Sequence, residues 1–260
     1  MKKAITAVVG TAAPVLILVQ ALVGTAVAGG AHSHSAWSYE SGSHGPENWA
    51  RLRPEYFPCR GEQQSPINIR KKTALKSELG PIKINWDDAP LRVYNSGHSI
   101  QVNYERGSTL KTKAGSFVFF QYHFHSPSDH AINGKLYDME VHFVHKAANG
   151  ELAIVAVFFE EGKENENLIP IWDNLPPAGK TTTPPDIKIK ATDLLPNNMK
   201  DYFHYKGSLT TPPCSETVNW YVLANPLEAS KAQLKKLSKL ISANNRPLQQ
   251  LHRRFVLTND

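Results

Sequence analysis

Phe117-Val118-Phe119-Phe120-Gln121-Tyr122-His123-Phe124-His125, Asp138-Met139-Glu140-Val141-His142-Phe143-Val144-His145 and Leu152-Ala153-Ile154-Val155-Ala156-Val157-Phe158-Phe159 are three runs that decide the fold. Each is short, rich in aromatic and β-branched residues, and bounded by polar turn residues, as strands are. Asn133-Gly134 separates the first two runs and Asn149-Gly150 the last two. Asn-Gly supplies the positive φ angles of a tight hairpin turn. The stretch 117–159 therefore predicts a three-stranded antiparallel meander.

The meander carries chemistry on one face. Side chains two apart on a strand point the same way, so Gln121, His123 and His125 share a face, and so do Glu140 and His142. A two-residue turn at Asn133-Gly134, extended down the ladder, sets His125 opposite His142. Opposed Cβ atoms lie roughly 5 Å apart, close enough for two rings to reach one metal ion. Three imidazoles with a fourth position open form the ligand set of catalytic zinc, whereas structural zinc takes four closed ligands, often thiolates. Gln121 is placed to fix the ring of His123, and Glu140 that of His142. Half-buried strand histidines without metal are the plain alternative to a lone His-x-His. A third His, an amide and a carboxylate on matching faces argue against it. A cupin-like iron oxygenase also uses His-x-His, but the surrounding Gly and Pro spacings of cupins are absent.

Working outward, Leu91-Tyr94 and Ser99-Tyr104 alternate around Asn95-Ser96-Gly97 and predict two more strands. Ser230 and Gln233 form a capping box before Leu234, Leu237, Leu240 and Ile241, which predicts an amphipathic helix over 231–242. A shorter helix is expected over about 164–174. The stretch 176–185 is the best candidate linker, but the apolar runs on either side are too short for separate cores. One domain is expected, over 37–260, after a flexible segment 29–36.

Lys2-Lys3, the apolar run Ala4 to Val27 and the small-x-small end Ala26-Val27-Ala28 read as a signal peptide, 1–28, cut after Ala28. A retained anchor is the alternative, against which stand the many Ala, Gly and Thr and the lack of a basic stop. The expected location is periplasmic or secreted, with no membrane contact after cleavage. The chain has two cysteines, Cys59 and Cys214. In an oxidising compartment an even pair tends to close, though two buried thiols stay open as an alternative. The net charge of +6 is scattered in pairs such as Lys71-Lys72 and Arg253-Arg254, without the concentrated patch of a nucleic-acid binder.

In these residues the chain resembles the α-class carbonic anhydrases, specifically the exported bacterial branch. The likeness runs from about Trp37 to Gln249. It rests on Tyr39 with Gly45-Pro46-Glu47-Asn48-Trp49, Gln64-Ser65-Pro66-Ile67-Asn68-Ile69, Asn95-Ser96-Gly97-His98, the two histidine strands, and Tyr205 to Trp220 containing Gly207-Ser208-Leu209-Thr210-Thr211-Pro212-Pro213-Cys214. The fold class this implies is β-rich α+β: one large twisted, mainly antiparallel central sheet with a few peripheral helices and zinc in a conical cleft. The activity it implies is reversible hydration of carbon dioxide to bicarbonate and a proton, by attack of zinc-bound hydroxide.

The resemblance also implies roles. His123, His125 and His142 match the Zn2+ ligands, Thr210 the hydroxyl that orients the nucleophile, and His98 the proton shuttle. Val144, Ile154, Leu209 and Trp220 match the apolar wall for carbon dioxide, with Tyr39 and Thr211 ordering water. Cys59 and Cys214 match the bridged pair of the bacterial branch. Where the family has Ser-Glu-His, this chain has Ser128-Asp129-His130. Asp129 thus matches the carboxylate that accepts from Thr210, one methylene short, so that either the backbone moves closer or the Thr210 contact lengthens, as through a bridging water. A non-catalytic relative of the fold would lack a ligand, and all three are present. The resemblance also allows a homodimer, for which the sequence identifies no interface.

Overall fold

The structure is a computed structural model and describes residues 37–259. The expected signal peptide 1–28, its cleavage site and the segment 29–36 lie outside the described residues. Seven strands carry the site: Val93–Asn95 (β1), Ile100–Asn103 (β2), Gly115–His125 (β3), Met139–Lys146 (β4), Leu152–Glu161 (β5), Tyr202–Gly207 (β6) and Val218–Leu223 (β7). They follow one another across the sheet as β1-β2-β3-β4-β5-β7-β6. Among the described residues thirteen strands join this one sheet. Most pairs are antiparallel; β5 pairs in parallel with β7 and with Leu227–Ala229, so the sheet is mixed.

Strand β5 shows why the sheet sits at the centre of the molecule. Every residue from Ala153 to Phe159 is buried. Val155, Val157 and Phe159 join an apolar cluster on one face, with Phe143 and Trp172, while Ile154, Ala156 and Phe158 join a second cluster on the other, with Trp220 and Val222. A strand covered on both faces must be apolar at every position, which is the continuous run its sequence presents.

The meander β3-β4-β5 forms as expected, with a different register. At the hairpin, Ile132 faces Lys135 and Ala131 faces Leu136. Asn133 and Gly134 both have positive φ, 51° and 84°, as this turn requires. Farther down, His125 faces Glu140 and His123 faces His142. The expected pairing of His125 with His142 is therefore off by two residues. Residues between His125 and Ala131, including Pro127 with no N–H to donate, leave the ladder and absorb the difference. Because the slip is even, the histidines keep their face.

A second irregularity lies in the same pair of strands. Val144 faces Gln121, but the next residue, His145, faces Phe119, so Phe120 is bulged out. The bulge reverses the alternation of β3. Before it, Phe117 and Phe119 point into the first apolar cluster; after it, Tyr122 and Phe124 do. Gln121, His123 and His125 are thereby freed for the opposite face.

The predicted outer elements also appear. Helix Lys231–Leu240 opens on the Ser230–Gln233 capping box. The expected helix over 164–174 is shorter, a 3-10 turn Glu166–Leu168 continuing into Ile169–Trp172. Residues 176–185 do not separate two bodies: Thr181–Thr182 pair with β1 at the sheet edge.

Candidate active site

On the face opposite the first apolar cluster lies a cavity of about 260 Å³. His123 and His125 reach it from β3 and His142 from β4, and Val144, Ile154 and Trp220 reach it from β4, β5 and β7. The loop after β6 brings Leu209, Thr210 and Thr211, and Tyr39 and His98 come from the rim. All these predicted residues converge on one space. Glu140 and Asp129, also predicted, lie behind the ligand face and are fully buried.

Each histidine ring is oriented by its second nitrogen. His123 Nδ1 is 2.9 Å from Gln121 Oε1, His125 Nδ1 is 2.8 Å from the Asn244 carbonyl, and His142 Nε2 is 2.8 Å from Glu140 Oε1. An imidazole that donates through one nitrogen presents a lone pair on the other. His123 Nε2, His125 Nε2 and His142 Nδ1 are therefore left facing one another. The three residues offer ligand atoms within 4.8 Å of one another. His125 Nε2 is buried and has no hydrogen-bond partner. Burial, aided by the neighbouring imidazoles, holds His123 well below its usual pKa, and burial outweighs Glu140 in lowering His142. Three imidazole nitrogens are thus gathered around one point, and the donor set fits zinc.

A second cluster, His130, Glu140 and His142, is also tight enough to hold an ion. Its atoms are committed elsewhere. Glu140 Oε1 lies 2.8 Å from both His130 Nδ1 and His142 Nε2, and its Oε2 accepts from the His130 backbone N–H. The Tyr205 hydroxyl bridges His130 Nε2 at 2.6 Å and Ser65 Oγ at 2.9 Å. This is a hydrogen-bonded support behind His142.

The loop after β6 is pinned on both sides. Trp220 Nε1 donates to the Ser208 carbonyl, and Ser208 N donates to Ser65 Oγ. Cys214 is joined to Cys59 by a disulfide, as the resemblance implied. Asp129 makes no direct hydrogen bond with Thr210, the lengthened contact that its shorter side chain allows. Its Oδ1 accepts from the Arg246 backbone N–H at 2.8 Å, and its Oδ2 has no hydrogen-bond partner, so the bond expected from Thr210 is not formed.

Several contributors escaped the sequence reading. Asn244 holds His125 through its carbonyl and ties the His98 and Phe124 carbonyls through Nδ2. Arg246 is buried and binds the Gln64 side chain and the carbonyls of Ser65 and Cys59. Trp37 stacks on His98, with ring centroids 4.2 Å apart. None of these sits near its target in sequence, so no local spacing marks it.

Among the described residues no helix is long and apolar enough to cross a membrane. Residues 44–260 match the model of the eukaryotic-type carbonic anhydrases. A carbonic anhydrase of Nostoc sp. is 42% identical over 226 residues, covering 85% of each chain. One from Neisseria gonorrhoeae is 40% identical over 249 residues, covering 94% of this chain and 96% of that one. The α-carbonic anhydrase of Thermovibrio ammonificans, solved with the inhibitor sulfanilamide, superposes with a TM-score of 0.82 at 43% identity, covering 88% of this chain and all of that one. With the sheet, the histidine cluster and the loop in place, these likenesses show that the chain belongs to the eukaryotic-type carbonic anhydrase family and is an enzyme of that family.

Proposed function

We propose that this enzyme hydrates carbon dioxide reversibly to bicarbonate and a proton, with zinc held by His123, His125 and His142. The observation that carries the reading is the buried, unpartnered Nε2 of His125 among three rings whose other nitrogens are all engaged. When bound, zinc supplies the Lewis acidity that brings the pKa of water from 15.7 to about 7, the value known for carbonic anhydrase itself.

The chain's own residues do the rest. Val144 and Ile154 face each other across β4 and β5, and Ile154 pairs with Trp220 on β7. With Leu209 they make an apolar wall beside the ligands, suited to a small substrate without charge. Thr210 lines the same cavity, and its hydroxyl is the group assigned to orient the nucleophile. Tyr39 and Thr211 hold water between the ligands and the rim. His98 takes the proton there: burial lowers its pKa, so the ring is neutral and able to accept at pH 7. The basic, apolar, small-residue order of 1–28 and the disulfide support export to the periplasm or beyond.

Metal analysis joined to a hydration assay tests the reading. One zinc per chain is expected, with activity lost to a chelator and restored by zinc. Iron as the bound metal, or full activity without metal, refutes it.

A further inference from the structure

The Asp129 carboxylate is fully buried, and one of its oxygens is unaccounted for by hydrogen bonding. Leaving a buried acceptor unmatched is costly unless a positive group faces it. Arg246 gives Asp129 a hydrogen bond only from its backbone N–H; the guanidinium binds Gln64, Ser65 and Cys59 through its two terminal nitrogens, and its charge acts on Asp129 without a hydrogen bond. Thr210 makes no bond to it. What lies near Oδ2 is His125 Nδ1, at 3.4 Å. That nitrogen's hydrogen bond runs to the Asn244 carbonyl at 2.8 Å, so the carboxylate approaches an N–H already engaged.

We propose that Asp129 is a positioning residue for His125, the second carboxylate behind the metal ligands, and not the partner of Thr210. This rests on the zinc reading given above. The geometry follows from side-chain length. A glutamate would extend the carboxylate by one further C–C bond, about 1.5 Å. The aspartate stops short, held at Oδ1 by the Arg246 N–H, with Oδ2 beside the ring four residues before it. The three ligands then differ in what stands behind them: a neutral amide behind His123, a carboxylate in hydrogen-bond contact behind His142, and a carbonyl plus a nearby carboxylate behind His125. A carboxylate beside a ligating imidazole raises its basicity and tightens the metal. Asp129 thereby holds zinc more firmly, and Thr210 is oriented without it.

The test uses full-length zinc-loaded protein and follows zinc release to excess chelator with a chromogenic indicator. Asp129→Asn is expected to release zinc about tenfold faster, the low end for loss of such a partner because the Asn244 carbonyl remains. Thr210→Ala, which removes the hydroxyl, is expected within threefold of the wild type. The inference is overturned if Asp129→Asn stays within threefold of the wild type, or if Thr210→Ala releases zinc as fast as Asp129→Asn does. Should Asp129→Asn not fold, a crystal structure of the zinc-loaded wild type decides: Oδ2 nearer to His125 Nδ1 than to Thr210 Oγ1 supports the inference, and the reverse overturns it. A wild type that binds no zinc defeats the underlying reading instead, so the two failures are distinct.

Discussion

His142 donates its Nε2 hydrogen to Glu140 Oε1 at 2.8 Å, and that bond turns Nδ1 of the same ring toward the cavity. Glu140 also accepts twice from His130, through Nδ1 and the backbone N–H. One buried carboxylate therefore sets the orientation of the His142 ring and anchors the segment leading to β4. Burial opposes its charge, but His130 and His142 outweigh burial and hold the carboxyl well below the usual range.

Glu140→Gln is expected to destabilise the apoprotein by about 3 kcal/mol, the upper end for hydrogen bonds to a charged group. An amide N–H would face one of the imidazole donors. The sign of the pH dependence follows from the lowered folded pKa. The carboxylate's contribution is complete above the unfolded value of about 4.3 and is lost as pH falls below it toward the folded value. Urea melts should show a constant gap between wild type and variant from pH 7 to 5, closing below about pH 4. A gap that stays open in acid would place the stabilising charge elsewhere.

The Cys59–Cys214 bridge spans a sequence separation of 155 residues. Loop-closure entropy credits a loop of that length with about 5 kcal/mol as an upper figure. At 2–4 °C per kcal/mol for a chain of this size, reduction should lower the melting temperature by roughly 10–20 °C. Activity well below melting should change little, because Gln64 still ties the Cys214 carbonyl and Arg246 the Cys59 carbonyl. Differential scanning calorimetry with and without reductant checks the first part, and a hydration assay of the reduced protein the second.

The meander and the histidine cluster were legible because their signals are local. Asn133-Gly134 marks a turn, and two histidines on alternate positions mark a face. Register was not legible, since it depends on how residues between His125 and Ala131 leave the ladder. The bulge at Phe120 was hidden for a similar reason: an aromatic residue among aromatic residues carries no mark of being skipped. Asn244 and Arg246 act on His125 and Asp129 across 119 and 117 residues, so only the folded chain brings them together. Asp129 shows the opposite limit. Its motif position was plain, but the backbone N–H of Arg246 that its carboxylate meets is not marked by any spacing.

Val144 is half-buried on the cavity wall, across the sheet from Ile154. Val144→Phe would place a ring where the substrate must lie, while leaving the ligands and their supports untouched. The ratio kcat/KM should fall roughly a hundredfold, or about 2.7 kcal/mol at 1.36 kcal/mol per decade. Zinc content should remain at the wild-type level. A variant that loses zinc along with activity would show that the wall also supports the ligands.

His98 stands at the rim, its ring parallel to Trp37 within 14° and its carbonyl held by Asn244 Nδ2 at 2.9 Å. The backbone is thus fixed while the ring lies between cavity and solvent. Desolvation lowers its pKa, so it is neutral at pH 7 and gains a proton only as the pH falls through that lowered value. A neutral ring can accept a proton from the site and pass it to buffer. Removing it should limit proton export and leave the attack on carbon dioxide alone. His98→Ala is therefore expected to lower kcat about tenfold in dilute buffer, less than the hundredfold or more of a positioned acid–base group because buffer still removes some protons directly. The ratio kcat/KM, which reports attack, should hardly move. Imidazole added to the buffer should restore most of the lost turnover by carrying the proton in place of the missing ring. Equal falls in kcat and kcat/KM, with no rescue by imidazole, would mean that His98 shapes the cavity and does not carry its proton.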